Sequence, residues 1–267
     1  SIAETSLTIE GVRVVVDSGR MRVPRFDVGS GLTRLATVPV TRDAADQRRG
    51  RDGRTSPGGC YGLWSEAAQA GLRPRRVPEI LEADLAPLAL ELAVWGVEDA
   101  RRLAWLDPPP AGALAQAREL LGTLATLGED GRVTPHGRAM AELPVHPRLA
   151  HMLRAPREAG LGAGACHLAA LLTERDVLHF PGGAPDADLD LRLEALESLR
   201  AGGRPLPNGA ALDRPAARRV LQVAETLRRR LGVGEARGPA RPAGRLLAWA
   251  YPDRVAQRRP ETLGRFR

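Results

Sequence analysis

Lysine is missing from this chain altogether: all 39 basic residues among the 267 are arginine. A Walker-type phosphate loop depends on its lysine, so that loop is not part of this sequence. Aromatic residues are scarce at 3%, and with 43% hydrophobic content any core must be built from Leu, Val and Ala. The two cysteines, Cys60 and Cys166, stand far apart without a C-x-x-C, which points to neither a disulfide framework nor a zinc site. The five histidines (136, 146, 151, 167 and 179) lack the H-E-x-x-H spacing and read as structural or surface residues rather than metal ligands. No apolar run approaches the length of a membrane span and no signal peptide is visible, so a soluble, cytoplasmic protein is expected.

The length allows one large domain or two to three small ones. The net charge of +7 is unevenly spread: residues 214–267 carry 14 arginines against four acids, +10, while residues 1–213 come to −3. Sequence-independent contact with nucleic-acid phosphate is therefore expected in the C-terminal fifth; the competing reading is a solvated arginine-rich helix and tail.

The densest text lies between Thr41 and Gly58, with Q-R-R-G-R-D-G-R from Gln47 to Arg54 at its centre. Thr41 can N-cap a helix with Asp43 in its first turn. If that helix runs through Arg54, then Gln47, Arg51 and Arg54 fall at i, i+4 and i+7 on one face. An amide and two guanidiniums projecting together, with glycines between them, suit close approach to a phosphate. Arginine runs by themselves are more often solvated faces.

Upstream, Val12 to Val16 ending at Asp17-Ser18-Gly19 reads as a strand buried on both faces of a parallel sheet. Too few strands follow to complete such a sheet, so the chain is expected to begin inside a domain. Met21–Phe26, a turn at 27–31 and Leu32–Val40 read as a β-hairpin, with Pro39 closing or edging its second strand. Cys60–Trp64 reads as one more strand. From Ser65 the texture is helical. Asp84 can cap a helix from Leu85 to Trp95, with Leu85, Leu88, Leu92 and Trp95 as its apolar stripe and Pro87 tolerated in the first turn. A helix from about Gly112 to Leu127 is expected to end at Gly128, before a turn at 129–131 and a short strand at 132–134. Helices followed by a small β-turn outline a winged helix, although any small helical domain with a hairpin gives the same outline. Thr134-Pro135 and His146-Pro147 read as N-cap and N1 of two more helices. Pro156 is expected to kink or end the second. Further helices are expected over 161–174, from Asp186 or Asp188 to Leu199, and from Asp213 to about Leu231. In the last, Val220, Leu221, Ala224 and Leu227 would face inward and Arg218, Arg219 and Arg228 to Arg230 outward.

Two segments together resemble a known family. S-I-A-E-T-S-L-T-I at Ser1–Ile9, followed by V-V-V-D-S-G, resembles motif V of the DEAH-box helicases, and Q-R-R-G-R-D-G-R resembles their motif VI. Downstream, P-E-I-L-E-A-D-L-A-P-L, W-L-D-P-P-P, T-P-H-G-R-A-M, L-P-V-H-P-R-L-A-H-M-L and A-Y-P-D-R-V-A-Q-R-R resemble the bacterial HrpB branch of that family. The resemblance implies an α/β fold giving way to mainly α. Residues 1–65 would be the C-terminal part of a second RecA-like (P-loop NTPase) domain, 66–134 a winged helix and 135–231 a helical ratchet domain. Residues 232–267 would be a linker and the start of an HrpB-specific region. It further implies that Gln47 contacts the γ-phosphate of ATP and its attacking water, that Arg51 and Arg54 are arginine fingers, and that Gly50 and Thr5 line the nucleotide site. Ser1, Glu4, Thr5 and Ser6 would couple the nucleotide to the RNA backbone, the hairpin would separate or guide strands, and the ratchet helices would close the RNA channel.

Asp52 departs from the small residue usual at its place, and is expected to point away from Arg51 because adjacent helical positions face different directions. Walker A, D-E-A-H and the motif IV strand lie outside these residues, so ATP and Mg2+ would be held mainly by a first RecA-like domain. The reading from another class is a non-enzymatic winged-helix module that binds nucleic acid without motor activity. A third is a degraded product that does not fold.

Overall fold

A computed structural model describes residues 4, 10–27, 32–52, 57–155, 161–181, 186–200, 202, 206–234 and 243–256. The chain divides into two compact units, one of residues 1–85 and 101–113, the other of 86–100 and 114–267.

In the first unit, β1 (Val14–Asp17) runs parallel to β4 (Gly59–Gly62), with Val15 opposite Cys60 and Asp17 opposite Gly62. The parallel pairing matches the sequence reading, but burial on both faces does not: Val14 and Val16 are 58% and 64% exposed. In this two-stranded sheet only the face toward α1 (Arg42–Arg49) is packed, so alternate side chains of β1 stay in solvent. The hairpin is formed by β2 (Arg20–Asp27) and β3 (Leu32–Pro39), pairing Arg20 with Pro39 and Asp27 with Leu32; its tip lies outside the described residues. Pro39 is the last residue of β3, as a residue without an N–H to donate should be. Val40, Ala44 and Ala45 form a small core, with Trp64 and Leu72 packed against it. A short helix, α2 (Glu66–Ala70), is capped by Ser65 accepting from the Ala68 amide at 3.2 Å.

The second unit is helical: α3 (Ala86–Trp95), most of α4 (Ala111–Thr123), α5 (Pro135–Ala141), α6 (Pro147–Arg154), α7 (Gly162–Thr173), α8 (Leu189–Arg200), α9 (Arg214–Leu231) and α10 (Ala243–Ala250). Leu121, Leu124, Met140, Met152, Leu168, Leu227 and Leu246 fill its core from six of these segments. Three caps read from sequence are in place. Thr134 accepts from the Gly137 amide at 3.0 Å, His146 from the Arg148 amide at 3.2 Å and Asp213 from the Ala216 amide at 3.0 Å. Of Asp186 and Asp188, the second caps α8, its carboxylate accepting from the Asp190 amide at 2.8 Å. α6 ends at Arg154, ahead of Pro156, which lies outside the described residues.

Other expectations need correction. Trp95 is 73% exposed, because burial of α3 is centred on Ala86, Ala89 and Leu92, where small side chains admit close neighbours. α4 stops at Thr123, four residues short of the expected Leu127. Its end is a Schellman arrangement: the Thr126 amide donates to the Leu121 carbonyl at 2.8 Å and the Ala125 amide to the Gly122 carbonyl at 2.9 Å. The left-handed position that glycine was expected to fill at 128 falls on Ala125, with φ +53°. The small strand β5 (Leu178–His179), paired with β6 (Ala211–Leu212), had no sequence signal. At the C-terminal end, α10 packs on α6 and α7. Arg148, with its side chain 7% exposed, holds the end of α10 there. It makes a two-pronged contact of 2.5 and 2.8 Å with Asp253, donates to the Ala250 carbonyl at 3.3 Å and stacks 5.0 Å from the centre of the Tyr251 ring.

The wing is minimal: a single bridge pairs Leu127 with Val133, and Gly137 sits against it so closely that a Cβ would lie 2.4 Å from the Thr126 carbonyl oxygen. Ala125→Gly relieves a left-handed non-glycine residue and is expected to be neutral to stabilising by up to about 1 kcal/mol, the relief offset by added freedom of the unfolded chain. Gly137→Ala is expected to destabilise by about 1–3 kcal/mol through overpacking. Urea denaturation of the two variants checks both signs.

His136 and His151 meet between α5 and α6, with Nε2 and Nδ1 2.9 Å apart. Burial holds both below the ordinary histidine range, aided by Arg154 near His136 and by His136 near His151; burial lowers His167 as well. Below about pH 6.5 the unfolded chain therefore binds more protons than the folded one, and stability falls as pH falls. The melting temperature is expected to drop between pH 8 and pH 5, with a smaller drop in His136→Gln.

Candidate functional site

The Q-R-R-G-R-D-G-R segment begins on α1 and does not stay helical. α1 ends at Arg49, where Gly50 starts a tighter turn: the Arg51 amide donates to the Arg48 carbonyl at 3.1 Å and the Asp52 amide to the Arg49 carbonyl at 3.2 Å. The expected single face of Gln47, Arg51 and Arg54 is therefore not formed by a continuous helix. Gln47 is exposed on α1, Arg51 is 9% exposed within the turn, and Arg54 lies outside the described residues. A separation of Asp52 from Arg51 by helical geometry requires a helix that these residues do not continue. Asp52 is instead 8% exposed in the same turn, and after burial itself its charge is the main cause raising the Cys60 thiol above the ordinary range.

The start of α1 is held differently from the sequence reading as well. Thr41 occupies the N-cap position, yet its buried hydroxyl makes no capping bond. The Arg42 and Asp43 amides donate to the Arg73 and Pro74 carbonyls at 2.9 and 3.2 Å, and Asp43 accepts from the Ala44 amide at 2.8 Å. The stretch 73–74 thus supplies the acceptors that a helix start requires.

Arg48 is the residue that sequence reasoning passed over. Its side chain is 10% exposed and fully engaged. Nε and a terminal nitrogen donate to Glu4 at 2.8 and 2.7 Å, and the other terminal nitrogen donates to Asp17 at 2.9 Å and to the Arg20 carbonyl at 3.1 Å. Arg76 takes the second oxygen of Glu4. Burial alone would raise the Glu4 carboxyl, but the Arg48 hydrogen bond and the two guanidinium charges outweigh it and hold it below the usual range; Arg48 is correspondingly raised. A signal was present. Thr41, Ala44, Ala45 and Arg48 are the buried positions of α1 and its N-cap and step by 3, 1 and 3, so Arg48 occupies the core stripe of α1 and needs a counter-charge there.

Glu4 was expected beside Ser1, Thr5 and Ser6 among residues facing nucleic acid. Its carboxylate pairs with Arg48 and Arg76. Ser1, Thr5 and Ser6 lie outside the described residues. On α9, Arg218 and Arg219 are exposed as expected, Arg219 paired with Glu174 at 2.9 Å. Arg228 and Arg229 both bind Glu225 and pull its carboxyl down to about 2, so part of the basic face is neutralised within the helix.

A family model for the helicase associated domain (HA2), winged-helix, matches residues 117–145, which span the end of α4, the wing bridge and α5. The ATP-dependent RNA helicase HrpB of Escherichia coli K12 is 37% identical over 100% of this chain, which covers 29% of that protein. Over its whole length the chain is similar to HrpB, a helicase of the DEAH/RHA type. Two solved structures of E. coli HrpB agree with this. One, the DExH-box NTPase, superimposes with TM-score 0.71 and 36% identity over 99% of this chain and 29% of that one. The other has TM-score 0.76 over 97% and 30%. The human probable ATP-dependent RNA helicase DHX35 is 36% identical over 68% of this chain and 26% of its own length. This chain thus spans less than a third of the relatives it matches. Like them it carries a winged helix of the HA2 type in a mostly helical chain with little sheet.

Gly58 locks the turn onto the sheet. A Cβ there would lie 2.3 Å from the Asp52 carbonyl oxygen and 2.6 Å from that of Arg13, and neither backbone segment has room to give. Gly58→Ala is expected to lower stability by about 1–3 kcal/mol and to increase amide exchange at Arg51 and Asp52; hydrogen exchange followed by mass spectrometry checks it.

Proposed function

We propose that this chain is part of an ATP-dependent RNA helicase, supplying one wall of the ATP site and part of the RNA path. What supports the reading most is that the match to HrpB runs over the whole chain, including the Gln47–Arg54 segment whose turn is fixed by buried charge. Residues 1–65 are read as the C-terminal part of a RecA-like domain, 66–134 as the winged helix, 135–231 as the ratchet domain, and 232–267 as a linker leading into an HrpB-specific region. ATP with Mg2+ is the substrate, held mainly by another RecA-like domain.

In hydrolysis, negative charge spreads over the transferring phosphoryl group, and a positioned guanidinium stabilises it. Arg51 and Arg54 take that role, and Gln47, exposed at the end of α1, orients the attacking water. Gly50 and Thr5 line the same site. Ser1, Thr5 and Ser6 face the RNA backbone, and Arg218 and Arg219 add charge that holds phosphate non-specifically.

The purified 267-residue chain is expected to show no Mg2+-dependent ATP hydrolysis; turnover by the chain alone contradicts this division of the site. In the full-length helicase, Arg51→Ala is expected to slow hydrolysis about 10³-fold or more with little loss of RNA affinity. RNA binding without any ATP hydrolysis by the full-length protein supports instead the module that binds nucleic acid without motor activity.

A further inference from the structure

Glu4, Arg48, Asp17 and Arg76 come from four separate stretches of the first unit: the segment around residue 4, α1, the end of β1, and the chain after α2. Side-chain exposure is 8% at Glu4, 10% at Arg48 and 3% at Asp17, so these charges are removed from water. Such an arrangement is rigid. Breaking one partner leaves an uncompensated buried charge, and the planar fork of arginine lets one side chain satisfy two carboxylates and a carbonyl at fixed angles. The Arg51 amide donates to the carbonyl of Arg48 itself, so the turn carrying Arg51 hangs directly on the clamped residue.

We infer that Arg48 is a positioning residue for ATP hydrolysis: through Glu4 and Asp17 it fixes the turn that presents Arg51. The inference rests on the helicase reading of the chain. Arg48 touches no substrate in this role; it sets where the guanidinium of Arg51 stands. Because transition-state stabilisation is steep in distance while binding of ground-state ATP is shared over many contacts, loss of the clamp lowers kcat and leaves KM for ATP nearly unchanged. Arg76 on the second Glu4 oxygen makes the stretch after α2 a third party to the same joint. Arg49 serves as the internal control: it is adjacent, exposed, and paired on the helix surface with Asp46 at 3.1 Å.

The test is steady-state ATP hydrolysis by the full-length helicase at saturating RNA, with thermal melts to establish the folded fraction. Arg48→Lys keeps the charge but not the fork, and Glu4→Gln keeps the size but not the charge. Each is expected to lower kcat about 30-fold or more, with KM for ATP within about threefold, while Arg49→Ala stays near the unmodified rate. The double variant is expected to be no worse than the more severe single one, since both break one joint. A kcat within threefold of unmodified in Arg48→Lys, or a loss that only tracks the unfolded fraction, overturns the inference. So does fully multiplicative loss in the double variant. An unmodified protein without RNA-stimulated hydrolysis overturns the helicase reading and this inference with it; an active protein insensitive to Arg48→Lys overturns this inference alone.

Discussion

A guanidinium taken out of water must be met by fixed negative charge, and around Arg48 that requirement organises the first unit. α1 packs its Ala44 and Ala45 side against Val40, Trp64 and Leu72, and the same side brings Arg48 beneath the end of β1. There Asp17 serves two masters, accepting from the Gly19 amide at 2.9 Å as well as from Arg48. Desolvation makes each lone partner costly, so the assembled set is much stiffer than exposed ion pairs such as Arg49 with Asp46. The turn at Gly50–Asp52 inherits that stiffness. Gly58 closes it from the other side, where the backbone of Asp52 comes within contact distance.

The helical unit solves a different problem. With few aromatics, it gains density from leucine and alanine, and alanine-lined faces on α3, α7 and α9 let helices come close. Its joints are polar: Thr134 both caps α5 and donates back to the Ala125 carbonyl at 2.9 Å, closing the wing. Arg148 does for α10 what Arg48 does for the turn, gathering Asp253, a carbonyl and an aromatic face around one buried guanidinium. In a chain whose basic side chains of fixed charge are all arginine, the buried Arg48, Arg148 and Arg192 act as structural forks.

Local signals were the legible ones. Caps at Thr134, His146 and Asp213, the end of β3 at Pro39, and the end of α9 at Leu231 each depend on one or two residues and their neighbours. What sequence reading missed depends on partners distant in the chain. Arg48 looked like one more arginine in a basic run, because its meaning lies in Glu4 and Asp17, 44 and 31 residues away. Only glycine locally opposes a helix through Arg54, yet α1 ends at Arg49. Periodicity alone points Trp95 inward, but the small side of α3 decides its packing. β5 and β6 are two residues each, too short for any pattern to mark.

On the proposed reading, the clamped turn presents Arg51 to the transferring phosphoryl group. A crystal structure of the full-length helicase with ADP, aluminium fluoride and Mg2+ is the decisive test. The Arg51 guanidinium is expected within hydrogen-bond distance of the fluoride, about 2.7–3.2 Å, with Arg48 still held by Glu4 and Asp17. An Arg51 side chain turned away from the nucleotide, or an Arg48 released from both carboxylates while Arg51 is engaged, contradicts it.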